Sequence, residues 1–165
     1  MTAQANTLQQ PGDLDTRFAN QGMIDVRSGS SRRVAETVNE ELLYVVRSGN
    51  NSFRGYRARA DGSADPAFTP FLWRFGQGQY ETLSKLMVRD DGKFLMIGST
   101  GEAYVRQMAI SRFNSGGSPD LVFGTKIFPF AVDPVPPNHA LGTHSPTGCV
   151  TADKHVLLGQ KSYFA

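Results

Sequence analysis

His139, His144 and Cys149 follow one another as H-x4-H-x4-C, nitrogen and sulfur donors that can ligate zinc. The chain has no Cys-x-x-Cys, no His-Glu-x-x-His and no evident fourth ligand. Exposed histidines beside an incidental cysteine are the expected account. Carboxylates gather at Asp13-Leu14-Asp15 and Asp61-Gly62-Ser63-Ala64-Asp65. A calcium loop needs alternating oxygen ligands closed by a bidentate Glu, and that pattern is missing. Arg54, Arg57 and Arg59 interleave with Phe53 and Tyr56, and Arg32-Arg33 precedes them. Such a mixture can stack bases and hold phosphates. A net charge of +2 is too small to demand a polyanion, so a solvated strand face is expected and no nucleic-acid partner. The only tryptophan, Trp73, lies in the aromatic connector Phe71–Tyr80, which can line a carbohydrate or peptide groove but is expected to pack. Gly76-Gln77-Gly78 lacks the strand–helix context of a dinucleotide loop. Neither a G-x-S-x-G turn nor a Walker loop occurs. Glu36, Glu81 and Asp133 are scattered and cannot be paired as acid and base. No residue is assigned a catalytic, cofactor, metal or binding role, and the chain is read as a non-enzyme.

What could position such residues is a repeat. Gly12–Phe18, Gly62–Phe68 and Gly117–Phe123 each read G-x-x-D-x-x-F, at intervals of 50 and 55 residues. A second landmark keeps the same order: an apolar run ending in glycine, at Leu42–Gly49, Phe94–Gly98 and Val156–Gly159. Repeats of this length indicate stacked supersecondary units. Asp90-Asp91-Gly92 between apolar runs predicts a hairpin, since glycine supplies the positive φ of a tight turn. Asn39-Glu40-Glu41 and Thr151-Ala152-Asp153-Lys154 occupy the matching places. The runs after these turns are apolar at consecutive positions, as in a strand covered on both faces. Gly55–Ala60 and Met108–Phe113 alternate, as in strands with one wet face. Leu83, Leu86 and Met87 also fit a helix, but the Asp-Gly turn that follows favours a strand. Met23–Val26 reads as strand-like, and Lys126–Phe130 as a short fourth strand. The aspartate of each G-x-x-D-x-x-F bend is expected to accept backbone N–H groups, and the phenylalanine to cap the core.

Four short antiparallel strands in about 50 residues match one propeller blade. The residues Asp90–Gly98, Ala109–Asn114 and Gly117–Gly124 resemble the bacterial delta-60 repeat, whose pattern runs D-G-K-hydrophobic-G, A-hydrophobic-x-R-hydrophobic-N and D-G-S-hydrophobic-D-x-x-F-G. The resemblance covers the chain from Gly12 onward and is weaker where Asn39-Glu40-Glu41 replaces the D-G-K turn. It implies a β-propeller-like architecture and no catalytic activity. The expected organisation is an N-terminal tail at residues 1–11 and a partial or open propeller array at 12–165, all-β, built of four-stranded antiparallel units. About three units leave faces and edges bare. Either the chain is part of a longer propeller, which is preferred, or copies complete one another by self-association through exposed blade faces. The Pro-rich stretch Pro129–Asn138 reads as a surface excursion.

The 165 residues are 39% hydrophobic and 19% charged, with 17 Gly and 9 Pro. That excludes wholesale disorder, collagen and a coiled coil. Met1–Gln10 lacks the basic and apolar segments of a secretory signal. The longest apolar runs, such as Leu42–Val46, fall far short of the ~20 residues of a membrane helix, so no membrane partner is expected. One cysteine cannot form an internal disulfide, which fits a reducing compartment, and the cytoplasm is favoured. The expected function is a non-catalytic scaffold or binding module presenting loops to a protein or glycan. The rival is a propeller hydrolase or lactonase with a channel metal or carboxylates, and the third reading is a remnant without independent function.

Overall fold

The computed structural model describes residues 11–26, 32–49, 51–102, 105–128, 141–151 and 155–164, and every described element is a β-strand. The first sheet is an antiparallel meander of β1 (Arg32–Glu36), β2 (Leu42–Ser48), β3 (Ser52–Ala58) and β4 (Phe71–Trp73), in sequence order. The second repeats that plan with β5 (Tyr80–Val88), β6 (Phe94–Glu102), β7 (Val105–Phe113) and β8 (Thr125–Phe128). β9 (Leu141–Val150) and β10 (Val156–Phe164) form a hairpin. That hairpin touches the edge of β7 through a two-residue parallel pairing, Val105 with Leu141 and Arg106 with Gly142. The described strands close into neither a barrel nor a ring.

Because side chains alternate across a strand, each sheet has two faces with separate partners. Leu43, Val45, Phe53 and Phe71 leave the front of the first sheet. They pack into one cluster with Leu83, Leu86, Phe94, Met96 and Phe113 from the back of the second. The front of the second sheet carries Leu95, Ile97 and Ile110, against which Val156 and Leu158 of the hairpin pack. β6 is therefore buried on both faces, from Phe94 through Thr100, as its uninterrupted apolar run predicts. Phenylalanines dominate the first interface: the Phe113 ring lies 4.5 Å from Phe71 and 5.0 Å from Phe94, both stacked. Gly55 makes room for this, since any Cβ there would enter the Phe71 ring.

The hairpin turns are equivalent in all three places. Thr37 N–H bonds to Glu41 O, Arg89 N–H to Lys93 O and Thr151 N–H to His155 O, at 2.8–2.9 Å. Where Asp-Gly is missing, Glu40 itself adopts φ 60°, matching φ 76° at Gly92. Leu83, Leu86 and Met87 lie on strand β5. Two expectations are corrected. Met108–Phe113 has no wet face: β7 is buried on both sides from Met108 to Ser111, because Ala109 and Phe113 pack in the first cluster and Ile110 in the second. Met23–Val26 is not a strand: Met23 bridges only to Ala19 and Asn20, because among the described residues no neighbouring strand runs beside it to supply a ladder. The Pro-rich stretch 129–138, the tail 1–10 and the end of the expected strand Lys126–Phe130 lie outside the described residues.

Candidate functional site

The G-x-x-D-x-x-F bends gather at one end of the sheets. Asp65 Oδ1 accepts the Ala67 N–H at 3.0 Å, and Asp120 Oδ1 accepts Val122 N–H at 3.2 Å and Phe123 N–H at 3.3 Å. The first bend does the same with Arg17 N–H and Asp15 at 3.1 Å. The other carboxylate oxygen holds an arginine from the preceding strand: Arg57 Nε at 2.6 Å from Asp65, and Arg112 Nε at 2.9 Å from Asp120. Each guanidinium also lies over the bend's own phenylalanine, Arg57 5.2 Å from the Phe68 ring and Arg112 4.6 Å from Phe123. The hairpin turn adds a third charge with opposite solutions. Lys93 Nζ bridges Asp120 at 2.9 Å, whereas Glu41, at the same repeat position, bridges Arg57 at 3.4 Å. Lys93 first, then the Phe123 N–H and Arg112, hold the Asp120 carboxyl down at about 2 against desolvation, which opposes them. The Asp65 carboxyl is likewise lowered, first by the Ala67 N–H and then by Arg57.

Successive bends also bond to each other. Ala19 N–H donates to Asp61 O at 2.7 Å, and Thr69 N–H to Gly116 O at 2.9 Å. This explains the bend glycines. Gly62 and Gly117 have φ +81° and +95°, and a Cβ on either would strike the bend of the preceding unit, at Ala19 and at Thr69 O.

The opposite end is organised around Glu81. The connector 74–79 leaves β4 and crosses the second sheet to reach β5. It can approach so closely because Gly76, Gly78 and Gly98 carry no side chain: a Cβ there would strike Thr100, the Gly101 backbone and the Phe75 ring respectively. Glu81 is fully buried beneath it. Its carboxylate accepts the Phe75 N–H at 2.8 Å, the Gly76 N–H at 3.3 Å and the Thr100 hydroxyl. Burial pushes its carboxyl above the usual range, opposed by these donors. Above it lie exposed Gln77 and Gln79, Arg74 bonded to Gly78 O at 2.7 Å, and the Tyr80 ring under Arg106 at 5.4 Å. This connector surface is the candidate site: polar donors and one ring on a backbone pinned from below.

The sequence-flagged residues are largely separated or already engaged. His139 lies outside the described residues, the side chain of His144 is not described, and Cys149 is exposed on β9. Among the described residues no three His, Cys, Asp or Glu converge to hold a metal. Asp15, Asp61 and Asp65 serve turns and arginines. The arginine–aromatic interleaving does not survive folding. Phe53 is core, Tyr56 stacks on Tyr44 at 5.4 Å, and Arg57 is held by Asp65, Glu41 and Ser115 O. Arg33 Nε donates to Ser84 O at 2.8 Å. In the connector, Phe71 and Phe75 are buried, and Trp73 donates its indole N–H to Ser111 Oγ at 2.9 Å. These rings pack between sheets, leaving Tyr80 as the connector's exposed aromatic. Glu36 is exposed and Asp133 is outside the described residues. The clasp arginines were missed as partners of the aspartates. The available signal was R-x7-D, present as Arg57–Asp65 and again as Arg112–Asp120.

Among the described residues, no helix is long and apolar enough to cross a membrane. No protein-family model, no curated protein and no solved structure matches this chain.

Proposed function

We propose that the chain is a non-catalytic repeat scaffold whose sheets are successive blades of a delta-60-type β-propeller, displaying connector loops to a protein or glycan partner. The observation that carries this reading is how the buried charge is used. Asp65 and Asp120 lock bends, and Glu81 locks the connector through two backbone N–H groups and a hydroxyl. The Glu81 carboxylate, fully buried and occupied by two backbone N–H groups and the Thr100 hydroxyl, fixes a loop and presents no oxygen at the surface to a substrate. The residues it fixes are of the type that recognises partners: glutamines, an arginine and a tyrosine on a rigid base. The repeated clasp and the face-to-face sheets support the propeller reading, because blades stack in this way.

A glycan array and an affinity pull-down with the purified chain test the function. Binding that survives in wild type and falls at least tenfold in Tyr80→Ala or in Gln77→Ala/Gln79→Ala supports it. Binding indifferent to these changes, or metal-dependent hydrolytic turnover by the purified chain, overturns it.

A further inference from the structure

Ile24 and Val26 cover part of the back of the first sheet, while Asp25 between them is exposed and lines a separate groove beside Asp61. Beneath Ile24 and Val26, the side chains of Val34, Leu42, Tyr44 and Val46 complete an apolar cleft of about 150 Å³. Val46, 1% exposed, is its floor, and Val34, 61% exposed, stands at its mouth. An aliphatic cavity of that size has room for one benzene-sized ring and offers water too few polar partners. One side of the cleft is polar. Val46 pairs in register with Arg54 of β3, and Tyr44 with Tyr56. Residues paired across antiparallel strands share a face, with Cβ atoms about 5 Å apart, so Arg54 stands beside the cleft floor. Arg54 is exposed, and no carboxylate bonds to it among the described residues. The Tyr44 and Tyr56 rings stack at 5.4 Å. Burial first, then Tyr56, pushes the Tyr44 phenol above its ordinary value, so it stays a neutral donor at pH 7. Glu36 pairs with Leu42 at the other end of the cleft, which leaves the Val46 end as the place for an anion.

The second sheet shows what a face built only for packing carries at these places. Tyr44, Arg54 and Tyr56 hold the register positions of Met96, Ala109 and Ser111, and all three of those are fully buried. A phenol pair and a guanidinium thus replace a thioether, a methyl group and a small hydroxyl, and a dry sheet-on-sheet contact would leave that guanidinium uncompensated. We infer that the cleft binds a small amphipathic acid, its aryl or branched alkyl group between Ile24, Val26 and Val46 and its carboxylate on Arg54 at the rim. The volume admits one ring, which selects a free acid over a longer chain. A guanidinium without a carboxylate of its own supplies a charge-assisted, bidentate partner for the head group. The site shares no residue with the connector surface and goes beyond the function proposed for it.

Methyl-resolved NMR titration of the full chain at pH 7 tests it, with 3-phenylpropionate against its neutral counterpart 3-phenylpropanamide. The acid should shift the methyl signals of Ile24, Val26, Val34, Leu42 and Val46 with a Kd of about 1 mM or tighter. The amide should bind about tenfold more weakly. Arg54→Gln, at an exposed position, should bring the acid down to the amide's affinity with an unchanged circular dichroism spectrum. Val34→Phe, which fills the mouth, should abolish binding of both, and Tyr80→Ala on the connector should change neither. Silence of these methyls at about 10 mM acid, equal affinity for acid and amide, or an Arg54→Gln chain that still prefers the acid overturns the proposal. A peptide ending in phenylalanine that binds about tenfold more tightly than the free acid also overturns it, by giving the cleft to a chain terminus.

Discussion

Asp120 accepts two side-chain cations and two backbone N–H groups at once, and its carboxyl is held at about 2, against about 3.9 in an unfolded chain. Unfolding therefore takes up a proton in that window. The stabilisation is complete above about pH 4 and is lost as pH falls through about 2. Thermal melts from pH 2 to 7 should show this acid limb. Asp120→Asn should flatten it and lower the pH 7 melting temperature by about 5 °C. Glu81 acts with the opposite sign. Its carboxyl is raised by burial, so its titration favours the folded state at low pH and that contribution declines as pH rises. Glu81→Ala should cost about 3 kcal/mol in chemical denaturation, because it strands the buried Phe75 and Gly76 N–H groups. At Glu40, whose φ of 60° is strained for a side chain, Glu40→Gly should raise stability by about 1 kcal/mol, read from the same denaturation curves.

At the scale of elements, the strands and bends were legible because their code is local. Consecutive apolar residues marked β6 as covered twice, Asp-Gly marked its hairpin, and G-x-x-D-x-x-F marked three equivalent bends. What the sequence concealed depends on the neighbouring unit. Arg57 read as part of a basic strip until Asp65, eight residues on, and Ser115 of the next bend captured it. Glu81 read as a stray carboxylate because its partners, Phe75, Gly76 and Thr100, lie on a connector and an adjacent strand. Met23–Val26 read as a strand because composition reports β-propensity and not the presence of a pairing edge. The bend glycines can separate local from inter-unit demands. Gly12 shares the positive φ of Gly117 but a Cβ there meets nothing within 4 Å, whereas at Gly117 it meets Thr69 O. Gly117→Ala should therefore cost about 3 kcal/mol and Gly12→Ala about 1, measured by urea denaturation.

The whole molecule is a stack whose order is set by direction, front onto back. Phe71, Phe94 and Phe113 bury their rings in one interface, and Ile97 with Leu158 continues the pattern in the next. Each unit alone would leave an apolar face wet, so stability belongs to the contacts between units. The bends record that contact in a single backbone hydrogen bond. Thr69 is exposed and lies outside every strand, and its N–H is bonded to Gly116 O of the following bend. Residue-resolved amide hydrogen exchange at Thr69 therefore reads the stacking directly. Protection comparable to the β6–β7 ladder is the outcome that follows from front-onto-back units, and exchange at the rate of an unstructured peptide would contradict them.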